Sequence, residues 1–272
     1  MRVLNYVLLC AATSVAVTAC DSESSGSLPT SASPTTSSIA VTVKSPIKVD
    51  ETAQAAATAS LTNGQSQAIT TGWQSDAPNV ATVTPAGLVT GVANGRATVF
   101  VVSGGRQGQQ VIRVVPNYDG VWGGLLRVTS CTHTGAWAQA GFCDDFRVGA
   151  TDGFTLGLSQ TGESLTARSA YGPSIVFPPV TTTIDADGGA AFTATFRDAA
   201  PPNLSIAAAW RIASPARGTL AGTVTETWTL PGAAGEGRLV QDIVSTIRVV
   251  SSGTSRSDTK SRVMGERFRR MR

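Results

Sequence analysis

Trp73-Gln74-Ser75-Asp76-Ala77-Pro78-Asn79-Val80-Ala81-Thr82-Val83, then Gly87-Leu88-Val89-Thr90-Gly91-Val92 and Gly95-Arg96-Ala97-Thr98-Val99, is the stretch whose reading decides the fold. Valines alternate here with Thr, Asn and Arg, and Gly or Pro punctuates the run every few positions. Short strands joined by tight turns are the expected outcome. Val80 and Val83 are expected to flank a turn built around Pro85 and Gly87. Val89 and Val92 are expected to fill an interior that Trp73 caps between two sheets.

Upstream, Ile39-Ala40-Val41-Thr42-Val43 alternates as a strand. The Ala- and Thr-rich stretch from Ala53 to Ser60 runs to an Asn63-Gly64 turn. The Trp with its Ser-Asp-x-Pro-x-Val-Ala-x-Val run, the Gly-Leu-Val-Thr-Gly hairpin and the Gly-x-Ala-x-Val strand occur in this order. Together they resemble the bacterial Ig-like domain, group 2. The resemblance covers residues 39–116 and implies a β-sandwich of a family found as spacers and adhesion modules on bacterial surfaces. No acidic cluster there is dense enough to point to Ca²⁺.

Residues 117–252 read as a second antiparallel β-domain, a barrel or a sandwich of six to eight strands. Phe154, Leu156 and Leu158, then Phe192, Ala194 and Phe196, then Ile206, Ala208 and Trp210 alternate with small or polar residues, as half-buried strands do. Turn chemistry separates them at Thr161-Gly162-Glu163, Asp185 to Gly189, Pro201-Pro202-Asn203 and Pro231-Gly232. The opening Asp119-Gly120-Val121-Trp122-Gly123, followed by a meander, faintly resembles lipocalin- and avidin-like barrels. That resemblance implies a small pocket.

On the run from Leu220 to Leu230, Glu226 shares a parity with Leu220, Val224, Trp228 and Leu230, while Thr223, Thr225, Thr227 and Thr229 take the other. If the apolar parity faces inward, Glu226 is a buried carboxylate that needs a partner. An inward Arg, a barrel mouth or a ligand would each supply one. Glu226, Trp210 and Trp228 are the candidate ligand contacts.

The N-terminus carries Arg2 and then an uncharged apolar segment from Tyr6 through Val17, too short to span a membrane comfortably. Val17-Thr18-Ala19-Cys20 resembles the lipobox of bacterial lipoproteins. This implies a signal over residues 1–19, cleavage between Ala19 and Cys20, and a Cys20 carrying diacylglyceryl and an N-acyl chain such as palmitate. With about 0.8 kcal/mol per buried methylene, two or more chains anchor stably where one does not. The expected localisation is the cell envelope, lipid-anchored, with the outer membrane or cell surface favoured over the inner membrane. Asp21 resembles an enterobacterial inner-membrane retention signal, whose rule does not transfer to other bacteria. Residues 20–38 form a tether: eleven of the eighteen positions from Asp21 to Ser38 are Ser or Thr. It reaches on the order of 25 Å as a flexible chain.

With Cys10 in the signal and Cys20 lipidated, Cys131 and Cys143 remain. In an oxidising compartment they read as a disulfide. A metal site using His133 between them and Asp144 and Asp145 after them is the alternative. Seven of the 21 Lys and Arg residues fall in the tail, residues 253–272. From Cys20 to Ser255 there are 13 basic and 16 acidic residues, 13 − 16 = −3, which argues against a nucleic-acid partner. The tail reads as disordered, or as a contact with anionic lipid through its arginines, Phe268 and Met271.

His133 is the single histidine. No Gly-x-Ser-x-Gly elbow, phosphate loop or dinucleotide fingerprint occurs, and glycoside hydrolysis would need a carboxylate pair such as Asp144 with Glu226. The expectation is an all-β, non-enzymatic envelope lipoprotein without cofactor or metal. Its Ig-like module would present the C-terminal domain to a surface protein or polysaccharide. A carrier of an apolar or glycan ligand in a C-terminal barrel is the alternative.

Overall fold

The computed structural model describes residues 33–198, 203–216 and 218–249. Ala19, Cys20, the signal, the tether before residue 33, the Pro201-Pro202 turn and the basic tail lie outside the described residues. The described residues from Thr35 onward belong to one compact unit.

Its first part is a sandwich of short strands: β1 (Thr36–Thr42), β2 (Ile47–Lys48), β3 (Thr52–Gln54), β4 (Ala56–Leu61), β5 (Ser66–Ile69), β6 (Trp73–Ser75), β7 (Ala81–Val83), β8 (Leu88–Gly91), β9 (Gly95–Ser103) and β10 (Arg106–Val115). They pair as β1-β4-β5, β2-β10-β9-β6 and β3-β8-β7, antiparallel except for β2 with β10. Ile47, Trp73, Ala81, Val89, Val99, Val101, Ile112 and Val114 form the buried interior. The alanines of β4 keep the facing sheet low enough for the indole of Trp73 to lie between layers.

Two glycines in this stretch answer to contacts. Gly87 sits at φ +86°, and a Cβ there would stand 2.8 Å from Trp73 Nε1. A Cβ on Gly91 would stand 2.4 Å from the Lys48 carbonyl oxygen, so the β8 backbone can approach the end of β2 only without a side chain.

Val92 is a correction. It does not fill the interior but is 44% exposed. Three positions from Val89, Val92 has the opposite parity, so the alternation that buries Val89 and Gly91 turns it outward, and Val92 and Ala93 both donate their amides to the Val80 carbonyl.

The second part is a meander: β11 (Gly120–His133), two short helices α1 (Gly135–Gln139) and α2 (Phe142–Asp145), then β12 (Thr151–Thr161), β13 (Ser164–Tyr171), β14 (Ile175–Val176), β15 (Val180–Thr183), β16 (Ala190–Arg197), β17 (Ser205–Ile212), β18 (Gly222–Thr229) and β19 (Gly237–Val249). Successive strands pair antiparallel, and β19 returns to β11 along its length, from Val121↔Val249 to His133↔Gly237. The sheet closes except at the seam between β15 and β16, where Thr182 Oγ1 donates to the Ala191 carbonyl at 2.8 Å. The second domain is thus a nearly closed barrel.

Phe154, Leu156, Leu158, Ile206, Ala208 and Trp210 face the interior together with Phe192 and Ala194, as their alternation requires. Nine strands build the wall, the short β14 and β15 both pairing with β13, and a barrel of about eight strand positions encloses a lumen just wide enough for side chains to fill. α1, between the two cysteines, and α2, which carries Cys143, lie across one mouth.

The other mouth meets the sandwich. Only four residues, Pro116 to Asp119, connect β10 to β11. Tyr118 is buried, with its hydroxyl 2.7 Å from the Gly188 carbonyl and 3.0 Å from that of Ala213, and its amide donates to Gln160 Oε1. Burial, and then the nearby Asp185 charge, push its phenol well above the usual tyrosine range. From the sandwich, Arg113 donates to the Asp185 and Ala186 carbonyls at 3.1 Å each and to its own Gly95 carbonyl at 3.2 Å. Lys48 pairs with Asp119 and donates to the Gln160 carbonyl at 3.2 Å. The two parts are therefore docked rather than strung on a linker.

Candidate functional site

Glu226 lies on β18 between Ala208 of β17 and Leu239 of β19, fully buried inside the barrel. Two neutral side chains donate to it. Trp228 Nε1 donates to Oε2 at 2.9 Å and Gln241 Nε2 to Oε1 at 2.6 Å. The Tyr171 hydroxyl is raised well above its usual range by burial first, and then by the charge and hydrogen bonding of Glu226. A carboxylate held by such donors is stable in a low-dielectric interior without a ligand.

The barrel end next to this cluster is stoppered by aromatic rings. Trp228 meets Trp137, Phe142 and Phe146 at centroid distances of 6.4, 5.6 and 5.4 Å. Cys131 and Cys143 are disulfide-bonded across the segment that carries Trp137 and Phe142, with Cα atoms 5.7 Å apart. The bond consumes both thiolates, so the metal alternative built on them is overturned. His133 Nδ1 instead accepts from the Cys143 amide at 3.4 Å. Among the described residues no group of three or more His, Cys, Asp or Glu is placed to hold a metal ion.

Trp210 is enclosed by Phe154, Phe192 and Tyr171, at 5.5, 6.0 and 6.4 Å. Trp228 lines none of the hollows among the described residues, and Trp210, 1% exposed, borders only a small one of about 200 Å³ beside Phe192 and Arg211. Asp144 is exposed on α2 while Glu226 points inward, so these two carboxylates do not face a common cleft.

Open space lies instead at the junction, which the strand alternation does not reveal. A hollow of about 370 Å³ opens between Asp50, Val92 and Asn94 of the sandwich and Asn117, Pro215 and Arg248 on the barrel side. A second, of about 510 Å³, lies beyond Asp50 and Asn117 and is bounded by Lys44, Lys48, Glu51 and Asp119. Asp50 and Asn117 border both, so the two adjoin as a trough beside the connector. Arg248 stacks over Trp122 with its guanidinium carbon 4.7 Å from the ring centroid, and its Nη2 donates to the Asn117 carbonyl at 2.6 Å. Glu51 is held below the usual carboxylate range chiefly by its hydrogen bond to Lys44.

No curated protein matches this sequence. Among solved structures, domains 5–6 of the S-layer protein SbsC align with 16% identity over 76% of this chain and 97% of that one, at a TM-score of 0.27. Domains 4–9 of the same S-layer protein align with 14% identity over 76% of this chain and 31% of that one, also at 0.27. Superpositions this loose say nothing further about the molecule. The family comparison is specific: residues 35–115 match the bacterial Ig-like domain (group 2). That match falls on the sandwich whose Trp73, Gly87 and Gly91 contacts are described above, and residues 35–115 are a bacterial Ig-like domain of group 2.

Proposed function

We propose that this chain is a non-enzymatic lipoprotein of the bacterial cell envelope, anchored through Cys20. Its Ig-like domain presents the C-terminal barrel for adhesion to, or interaction with, a surface polymer or protein. One observation carries this reading: an Ig-like sandwich sits directly on a barrel whose lumen is occupied by its own side chains. A filled barrel suits presentation better than transport. The lipobox-like Val17-Thr18-Ala19-Cys20 supplies the anchor, and the Ser/Thr tether sets the domains back from the membrane.

A carrier of a small apolar or glycan ligand, with a glycan the better fit, is the second reading. It is favoured by Ser169 Oγ, Trp210 Nε1 and Gln241 Oε1, three buried atoms with no hydrogen-bond partner among the described residues.

The test is expression in a bacterial host with labelled palmitate, comparing the natural chain with Cys20→Ser. The anchored reading expects label and membrane retention in the natural chain and neither in the variant. An unlabelled natural chain, or a Cys20→Ser variant that stays in the membrane fraction, would overturn it.

A further inference from the structure

We propose that the trough at the junction of sandwich and barrel binds a neutral oligosaccharide. This deepens the reading above, since it names the class of surface polymer and the site that takes it.

The charges come first. Lys44, Lys48 and Arg248 face Asp50, Glu51 and Asp119 across the trough, three of each sign. A ligand of either net charge gains little there, whereas an uncharged one loses nothing. Lys44 is paired with Glu51, and Lys48 with Asp119. That leaves Asp50 and Arg248 on the walls of the smaller hollow.

The remaining polar groups supply both hydrogen-bonding roles. Asp50 makes no ion pair or side-chain hydrogen bond among the described residues, which leaves its two carboxylate oxygens as acceptors. Arg248 uses Nη2 on the Asn117 carbonyl and keeps other N–H groups. Acceptors and donors side by side match sugar hydroxyls, each of which is donor and acceptor at once. Val92, at 44% exposure, and Pro215 add apolar surface for the C–H face of a sugar ring.

The trough is also built in advance. Asp50 is a non-glycine residue at φ +67°, locked there by its amide on the Gly91 carbonyl at 2.9 Å and by the Gly91 amide on the Glu51 carbonyl at 3.0 Å. Strain of this kind persists only where its surroundings impose it. A preformed wall spares the ligand the cost of ordering it. The hollow is of ligand size, and domain junctions are a preferred location for ligand sites.

The experiment titrates the full-length protein in detergent micelles, by calorimetry, with cellotetraose, maltotetraose, mannotetraose and chitotetraose, and with tetragalacturonate as the acidic control. At least one neutral tetrasaccharide should bind with a Kd below about 1 mM, and tighter than the acidic control. Asp50→Gly removes the carboxylate and relaxes the backbone, so it should fold at least as well while weakening that binding about ten-fold or more. Val92→Glu, at an exposed position, should block it.

Two results overturn the assignment: no neutral tetrasaccharide binding in this range, or binding that both variants leave unchanged. Tighter binding of tetragalacturonate overturns it too. Any of these would leave the palmitate result at Cys20 untouched, so the two readings fail separately.

Discussion

Replacing Glu226 tests the interior network of the barrel, and two substitutions should behave very differently. Glu226→Met preserves length but removes both acceptor oxygens. Trp228 Nε1 and Gln241 Nε2, both buried, then lose partners now at 2.9 and 2.6 Å. Each orphaned donor costs about 1–3 kcal/mol. Relief from burying a carboxylate offsets part of this, which leaves a net loss of about 2–4 kcal/mol. For a folded unit of this size that lowers Tm by about 4–16 °C.

Glu226→Gln should be mild, below about 1 kcal/mol. Its carbonyl can keep the Trp228 bond, and its NH₂ can donate to Gln241 Oε1, which lacks a partner, once the Gln241 amide turns over. Urea unfolding followed by tryptophan fluorescence measures both, with the m-value checked for two-state behaviour. If Glu226→Met were as stable as the natural chain, or Glu226→Gln as damaging as Glu226→Met, the network described here would be wrong.

Other perturbations follow from the same contacts. Cys131→Ser with Cys143→Ser opens a loop of sequence separation 12 and should cost about 3 kcal/mol in urea unfolding of the oxidised protein against the variant. Tyr118 and Tyr171 both have phenols raised above their usual 10.0. The stability they contribute is complete below pH 10 and lost as pH rises toward the folded values, with a slope approaching about 1.4 kcal/mol per pH unit for each. A Tm series from pH 8 to pH 11 should show this loss, and Tyr118→Phe should flatten it. Arg113→Ala removes the hydrogen bonds to the Asp185 and Ala186 carbonyls. Hydrogen exchange should then quicken in the hairpin from Asp185 to Gly189 well before it does in β17 or β18.

How legible these features were depended on how local they are. Alternation placed Phe154, Leu156, Leu158 and Trp210 inward because a strand's parity is written in consecutive residues. The same parity put Glu226 inside, but its partners were out of reach: Gln241 comes from the next strand, and Tyr171 from β13. Gly87 and Gly91 were readable as punctuation, while their contacts with Trp73 and the Lys48 carbonyl depend on packing.

Val92 lies outside because, three positions from Val89, it falls on the opposite face of the strand, so alternation read strictly exposes it. The aromatic stopper of α1 and α2 left little trace, since helices of five and four residues are too short to show a helical period. Least visible was the junction. Lys48 meets Asp119 across 71 positions and Arg113 meets Asp185 across 72, so the trough between Asp50 and Arg248 exists only once both parts have folded.

That docking is the claim on which both the presented barrel and the trough rest, and a distance between spin labels tests it most directly. Val102 on the sandwich and Val148 on the barrel are 53% and 66% exposed, and cysteines there can be labelled while Cys131 and Cys143 stay bonded. Double electron–electron resonance should give one narrow distance distribution for the natural junction. A broad or multi-peaked distribution would mean that sandwich and barrel swing independently, and would contradict the account.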